Sequence, residues 1–172
     1  MKHPSKKLLL LGEIGVGKTS LVRRLVHGTM AADYMATMGV DLYRYEIGGI
    51  GAENKQTLEL VIWDLDGNLG TNVFRHVYAR GASGAMIIGD VMRRSTLEHM
   101  VTLAHGFQDA MPGREFSFVV NKVDLVEKRD LEALPEALRS TRHPLVWTSA
   151  LTSENVKPAF GQTADAILRR ET

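Results

Sequence analysis

The stretch "GEIGVGKT", Gly12 to Thr19, constrains this chain more than any other part of it. A continuous apolar run from Lys6 to Leu11 precedes it and reads as a strand buried on both faces. Behind it, Thr19 to Val26 carries Leu21, Val22, Leu25 and Val26 at helical spacing. A loop fitting G-x-x-x-x-G-K-[ST] between a strand and a helix is a phosphate cradle. Its glycines let successive backbone N–H groups turn inward, and the helix starting near Gly17 adds its positive dipole end. Lys18 supplies a point charge for the outer phosphates, and the Thr19 hydroxyl suits Mg²⁺. The alternative, a Gly-rich turn that matches by chance, is opposed by the agreement of motif and context.

The rest of the chain alternates strand and helix signals. Periodicity is lost over residues 28–39, and then Val40 to Ile47 and Leu58 to Trp63 read as strands around "GGIGAENK", a Gly-rich polar hairpin signal. Phe74 to Arg80 suits a short helix, and "SGAMIIGD" is a further buried strand ending in a carboxylate. Ser95 opens a helix to about Ala110, with Glu98 completing a capping-box pattern. "EFSFVVNKVD" reads as strand then loop, Leu131 to Arg139 as helix, "PLVWTSA" as strand then loop, and Val156 to Arg170 as the last helix. Such alternation predicts right-handed crossovers and a mainly parallel, doubly wound α/β sheet with helices on both faces. The hairpin adds one antiparallel strand at an edge, making six. Polar signals fall at the carboxyl ends of the strands, where open α/β sheets bind ligands.

Bulk composition removes several function classes. With 172 residues, no repeats and no linker, one domain over 1–172 is expected. A net charge of +1 gives no argument for nucleic acid or an acidic membrane surface. The paired bases (Arg23-Arg24, Arg93-Arg94, Lys128-Arg129, Arg169-Arg170) sit in separate segments and read as solvated helix faces or ends. The chain has no cysteine, so disulfides, thiolate metal sites and C-terminal prenylation are excluded. The histidines show no metal-ligand spacing. "KLLLLG" is too short to span a bilayer and lacks a signal-peptide cleavage region, so a cytoplasmic location is expected.

The phosphate loop alone says nucleoside triphosphate, not which base. "NKVD", Asn121 to Asp124, follows the strand "FSFVV" and addresses that choice. A carboxylate accepting from N1–H and the 2-amino group suits guanine, and adenine lacks that donor pair. Asp124 fits this role, with Asn121 tying its loop to the phosphate loop and the Lys122 stem packing on the ring face. Alone, the pattern also describes a helix-capping aspartate. "TSA", Thr148 to Ala150, ends the next strand and offers backbone N–H groups to the guanine oxygen.

Taken together, "GEIGVGKTSLVRRL", "YMATMGVDLY", "LVIWDLDGN", "YARGASGAMIIGDV", "NKVDL" and "TSA" resemble, in order and spacing, the Ras superfamily of small GTPases, closest to its Rab branch. The resemblance covers nearly the whole chain, with a somewhat longer hairpin. It implies the P-loop NTPase (small G-protein) fold, GTP/GDP as ligand with Mg²⁺, and effector, exchange and activating proteins as partners of a chain monomeric on its own. It places nucleotide contacts on Glu13, Ile14, Gly15, Val16, Gly17, Lys18, Thr19 and Ser20. Others fall on Met30, Tyr34, Thr37 and Gly67, and on Asn121, Lys122, Asp124, Leu125, Ser149, Ala150 and Leu151. Thr19, Thr37 and Asp64 become the Mg²⁺ set, Thr37 only in the triphosphate state. Lys18, Thr37, Gly67 and Asn68 become the catalytic set. Order–disorder switching of two loops follows from those contacts.

The chain departs from the family at the hydrolytic position. Where the family has alanine, glycine and glutamine, this chain has Asp66, Gly67 and Asn68. The glutamine orients the attacking water, and Asn68 carries its amide on a stem one methylene shorter. Ile14 stands where Ras has glycine, which would crowd that amide and an incoming arginine. Asp66 brings negative charge toward the γ-phosphate, and Met30 replaces a common aromatic beside the guanine. The bland counterparts are an Asn68 facing solvent, an Ile14 lying flat and an Asp66 capping a helix. A slow intrinsic GTPase is therefore expected, with a nucleotide-locked binding module as the alternative. The chain stops at its last helix without a lipidated tail, so no direct membrane anchor is expected. A prokaryotic relative or a piece of a longer protein accounts for that.

Overall fold

The computed structural model describes residues 3–28, 39–51, 53, 55–65, 67 and 77–171. Six strands are present: β1 (Ser5–Leu11), β2 (Val40–Ile50), β3 (Gln56–Leu65), β4 (Gly84–Asp90), β5 (Glu115–Asn121) and β6 (Leu145–Trp147). They form one sheet in the order β2-β3-β1-β4-β5-β6. All neighbours run parallel except β2, which pairs antiparallel with β3 at the edge. Helices α1 (Lys18–His27), α2 (Arg94–Ala110), α3 (Glu136–Arg139) and α4 (Val156–Glu171) connect or follow the strands.

The apolar run of β1 is continuous because both of its faces are covered. Leu8 and Leu10 join a core with Leu21 and Val22 of α1 and Phe160, Ala164 and Ile167 of α4. Leu9 and Leu11 join the opposite core with Leu97, Met100, Ala104 and Phe107 of α2. The alternation of side chains along a strand sends successive leucines to opposite layers. β1 lies between β3 and β4, so the chain leaves its carboxyl end at the point where the sheet order reverses, which is the ligand crevice of this architecture.

Three elements differ from the sequence reading. The hairpin strands run further than expected, with Ile50 opposite Gln56 and a bulge between Gly48 and Ile50. Helix α2 starts at Arg94 without a side-chain cap. Glu98 pairs with Arg94 at 3.1 Å, and the buried Thr96 hydroxyl accepts from the Asp90 N–H and donates to the Arg93 carbonyl. That hydroxyl, not a capping box, joins the helix start to β4. The helix expected over Leu131 to Arg139 is split into a single turn at Leu131–Ala133 and the short α3. Pro135 is the cause: it lacks an N–H, and Leu134 before it is extended at φ −77°, ψ 151°. Of the helix expected at Phe74 to Arg80, residues 74–76 lie outside the described residues and Val77 and Tyr78 are helical; residues 52 and 54 of the hairpin turn also lie outside them.

Candidate functional site

The loop after β1 wraps as a phosphate cradle does. Gly15 and Gly17 have φ of 78° and 103°, left-handed values that favour glycine. A Cβ on Gly17 would stand 2.3 Å from the Asn121 Nδ2, and one on Gly12 would stand 2.4 Å from the Ile88 carbonyl oxygen. Conformation and space therefore both require glycine at Gly17. Lys18 is buried at the start of α1, and its ammonium donates to the carbonyls of Gly12 (2.9 Å) and Glu13 (3.1 Å), bridging the loop it follows. Val16 is buried beneath the loop, and the Ile14 side chain is exposed.

Asp64, near the end of β3, is fully buried, and its carboxylate accepts a hydrogen bond from the Thr19 hydroxyl. Two oxygen ligands thus meet beside Lys18, a hard-donor pair that fits Mg²⁺, an ion that takes few protein ligands and keeps waters and substrate phosphates around it. Among the described residues no cluster of three or more His, Cys, Asp or Glu side chains competes for a metal. Gly67 lies against the cradle: a Cβ there would stand 2.4 Å from the Ile14 nitrogen and 2.7 Å from the Glu13 carbonyl carbon. Met30, Tyr34, Thr37, Asp66 and Asn68 lie outside the described residues.

The second half of the site is a cavity of about 190 Å³ lined by Gly17, Ser20, Asn121, Lys122, Asp124, Leu125, Ala150 and Leu151. Asn121 joins it to the cradle. Its buried amide donates to the Val16 carbonyl (3.0 Å), and its Oδ1 accepts from the Thr148 hydroxyl (3.0 Å) and the Ala150 N–H (3.3 Å). Asp124 accepts from the Ser149 hydroxyl at 2.6 Å. Ser149 therefore acts through its side chain, since its own N–H is taken by the Glu154 carbonyl. Leu125 and Leu151 bracket the cavity with apolar side chains 57% and 58% exposed, surfaces suited to a planar ring.

Lys122 lines this cavity while its ammonium sits 2.8 Å from Asp90, at the end of β4. Asp90 is buried and also takes hydrogen bonds from Arg93 Nε (3.2 Å) and the Met92 N–H (2.9 Å). Burial works to raise the Asp90 pKa, but the Lys122, Met92 and Arg93 contacts outweigh it and hold the carboxyl below its ordinary value. Arg93 in turn donates to the Ile14 carbonyl at 2.9 Å, so one carboxylate reaches both halves of the cleft.

Sequence reasoning placed Arg24 and Arg93 among solvated bases, and both are structural ties. Arg24 of α1 donates to the carbonyls of Ala150 (2.8 Å), Leu151 (2.7 Å) and Gly28 (2.9 Å). No short motif marks them, because four of their ties are to backbone carbonyls, as far as 127 positions away, and Arg93 adds only a single contact to the Asp90 carboxylate.

A glycine cradle joined through one asparagine to a carboxylate-bearing base cavity defines a P-loop nucleotide-binding α/β protein. The Ras family profile matches residues 7–169. The chain is 34% identical over 173 residues to the Ras-related protein Rab-1A of Dictyostelium discoideum, covering 99% of this chain and 84% of that protein. It is 32% identical over 165 residues to the Ras-related protein Rab-13 of Rattus norvegicus, covering 94% and 79% respectively. It is 29% identical over 171 residues to the Ras-related protein RABF2a of Arabidopsis thaliana. The chain belongs to the Ras family, as a Rab-like GTP-binding switch GTPase that converts GTP to GDP and phosphate.

Proposed function

We propose that this protein is a Mg²⁺-dependent guanine-nucleotide switch with slow intrinsic hydrolysis that signals to effector proteins through its switch loops. The observation that carries the reading is the Asn121 side chain, which donates to Val16 of the cradle and accepts from Thr148 and Ala150 of the base cavity. Those bonds support reading the phosphate loop and base loop, residues 12–20, 121–125 and 149–151, as parts of one cleft. In this reading Thr19 and Asp64, with Thr37, hold Mg²⁺, which when bound neutralises charge on the β- and γ-phosphates. Lys18 and the cradle N–H groups bind the phosphates. Asp124 reads the base, and the Gly67 N–H contacts the γ-phosphate, a role supported by the closeness of Gly67 to the cradle at Ile14 and Glu13.

Slow hydrolysis is inferred from Asn68, whose amide reaches one methylene less far than glutamine, and from the exposed branched side chain of Ile14. Effector docking is supported by Leu42, 58% exposed on the edge strand opposite the half-buried Trp63, which meets Tyr78 edge-on at 6.4 Å. That is an apolar surface on the strand that follows residues 29–38 in the sequence. We place the protein in the cytoplasm as a monomeric domain spanning 1–172. Among the described residues no helix is long and apolar enough to cross a membrane.

The test is to identify the nucleotide released when the purified protein is denatured. GDP or GTP is expected, and recovery of adenine nucleotide would overturn the reading.

A further inference from the structure

We infer that Arg24 is a specificity-positioning residue: from behind the base loop it aims the backbone N–H groups that read the 6-oxygen of guanine. The inference rests on the reading of residues 121–125 and 149–151 as the guanine site and adds a residue to it that touches neither base nor phosphate.

Arg24 sits on the first helix, half-buried, and does not line the base cavity. Ala150 and Leu151 do line it. Their carbonyls turn away from the cavity onto the guanidinium, with Nε at 2.8 Å from the Ala150 oxygen and Nη2 at 2.7 Å from the Leu151 oxygen. A trans peptide is planar, with its C=O and N–H pointing in opposite directions. Fixing the Ala150 carbonyl behind the loop therefore fixes the Leu151 N–H toward the cavity. The adjacent Ala150 N–H already faces inward, toward Asn121 Oδ1 at a long 3.3 Å. The two donors that a guanine 6-oxygen would meet thus inherit their direction from a cation on the far side of the loop. The Leu151 carbonyl belongs to the peptide whose N–H, on Thr152, donates to the Ser149 hydroxyl at 3.1 Å, so the rest of the turn is held by the same fork.

Arginine suits this place better than lysine. Its planar fork reaches both loop carbonyls and, through Nη1, the Gly28 carbonyl at the end of its own helix (2.9 Å). An ammonium has three donors but all on one atom at the end of a flexible stem, so it cannot span carbonyls spread along the width of a guanidinium fork. Because α1 begins at the phosphate cradle, the same helix that receives the phosphates also sets the base-reading loop.

Three diphosphates separate positioning from general stability: GDP; 6-thio-GDP, which differs only by a weaker acceptor at position 6; and IDP, which lacks only the 2-amino group. Their relative affinities are measured by competition on wild-type, Arg24→Met and Arg24→Lys protein. In Arg24→Met, GDP affinity should fall roughly tenfold, on the scale of one hydrogen bond. The preference for GDP over 6-thio-GDP should shrink several-fold, and the preference for GDP over IDP, read by Asp124, should not change. Arg24→Lys should fall between, and carries the test alone if the methionine variant does not fold. Equal losses for all three nucleotides, or unchanged affinities, would overturn the inference. A wild-type protein that does not prefer GDP to IDP would instead remove the reading of Asp124.

Discussion

At the phosphate end of the cleft the cradle itself comes from one short run, Gly12 to Thr19, to which Asp64 and Gly67 are added from elsewhere, and at the base end the groups come from segments far apart in sequence. Asn121 bonds to Val16 across 105 positions, and Arg24 to Ala150 across 126. The first end is made by backbone: left-handed glycines, inward N–H groups and a helix start. The second is made by side chains that hold one another, with Ser149 on Asp124, Thr148 on Asn121 and Lys122 on Asp90. A local construction fails all at once when its geometry is broken, whereas a distributed one loses one recognition element at a time.

The sharpest way to break this comparison is Gly17→Ala. A Cβ at φ 103° is strained and stands 2.3 Å from the Asn121 Nδ2, so either the cradle or the Asn121 amide that ties the base loop to it must shift. Affinity for every nucleotide should fall on the order of a hundredfold or more, whatever the base. Titration calorimetry showing GDP binding within about threefold of wild type would contradict a backbone-built phosphate end. Asp124→Asn should behave in the opposite manner. GDP binding weakens by roughly tenfold to a hundredfold as charge-assisted hydrogen bonds are lost. Xanthine nucleotide, with an oxygen at position 2 for the new amide to bond, should be preferred. A uniform loss across bases would place Asp124 in the scaffold instead.

Hydrolysis gives a smaller effect. With its glutamine, a Ras-type protein turns over at only about 10⁻⁴–10⁻³ s⁻¹ unaided, and this chain should be at or below that order. Asn68→Gln should raise the single-turnover rate several-fold, more so with Ile14→Gly, and the two changes should not add because they touch one site. A wild-type rate well above ~10⁻² s⁻¹ without a partner would show that another residue orients the water.

The smallest expected effect is on acid stability. The folded-state pKa of Asp90 lies below its unfolded value. Its contribution is therefore fully present above about pH 4, the ordinary carboxylate value, and is lost as pH falls through the folded pKa. In denaturant unfolding, Asp90→Asn should flatten the decline of stability in that acid window relative to wild type. Parallel pH profiles for the two proteins would show that the Lys122 and Arg93 contacts do not hold the carboxylate.

The same contrast explains what the sequence makes legible. The phosphate end is readable because its chemistry occupies consecutive positions, and the sheet is readable because the Leu8 to Leu11 run can only be a strand covered on both sides. Asn121 and Asp124 are legible as a four-residue pattern. Arg24, Arg93 and Asp90 are not, because an arginine that grips carbonyls has the same composition and local spacing as a solvated one. The capping box at Ser95 and Glu98 misleads for a related reason: a tertiary hydroxyl contact from Thr96 outweighs a local pattern. Pro135 breaks the expected helix by the ordinary rule for proline, applied there to too long a segment.

The Asp90 cluster has a further consequence, for the encounter with ligand rather than for its retention. Two cations, Lys122 and Arg93, are set against one buried anion at the rim of the cleft, so this cluster by itself carries one net positive charge fixed close to the loop that Arg93 also holds. The chain as a whole carries only +1. Whatever pull this cluster exerts on an approaching polyphosphate is therefore local to the rim and does not come from the molecule's total charge. Salt beyond ~0.1 M, where the screening length falls to about 10 Å, shortens its reach and slows capture without altering the bound complex to the same degree.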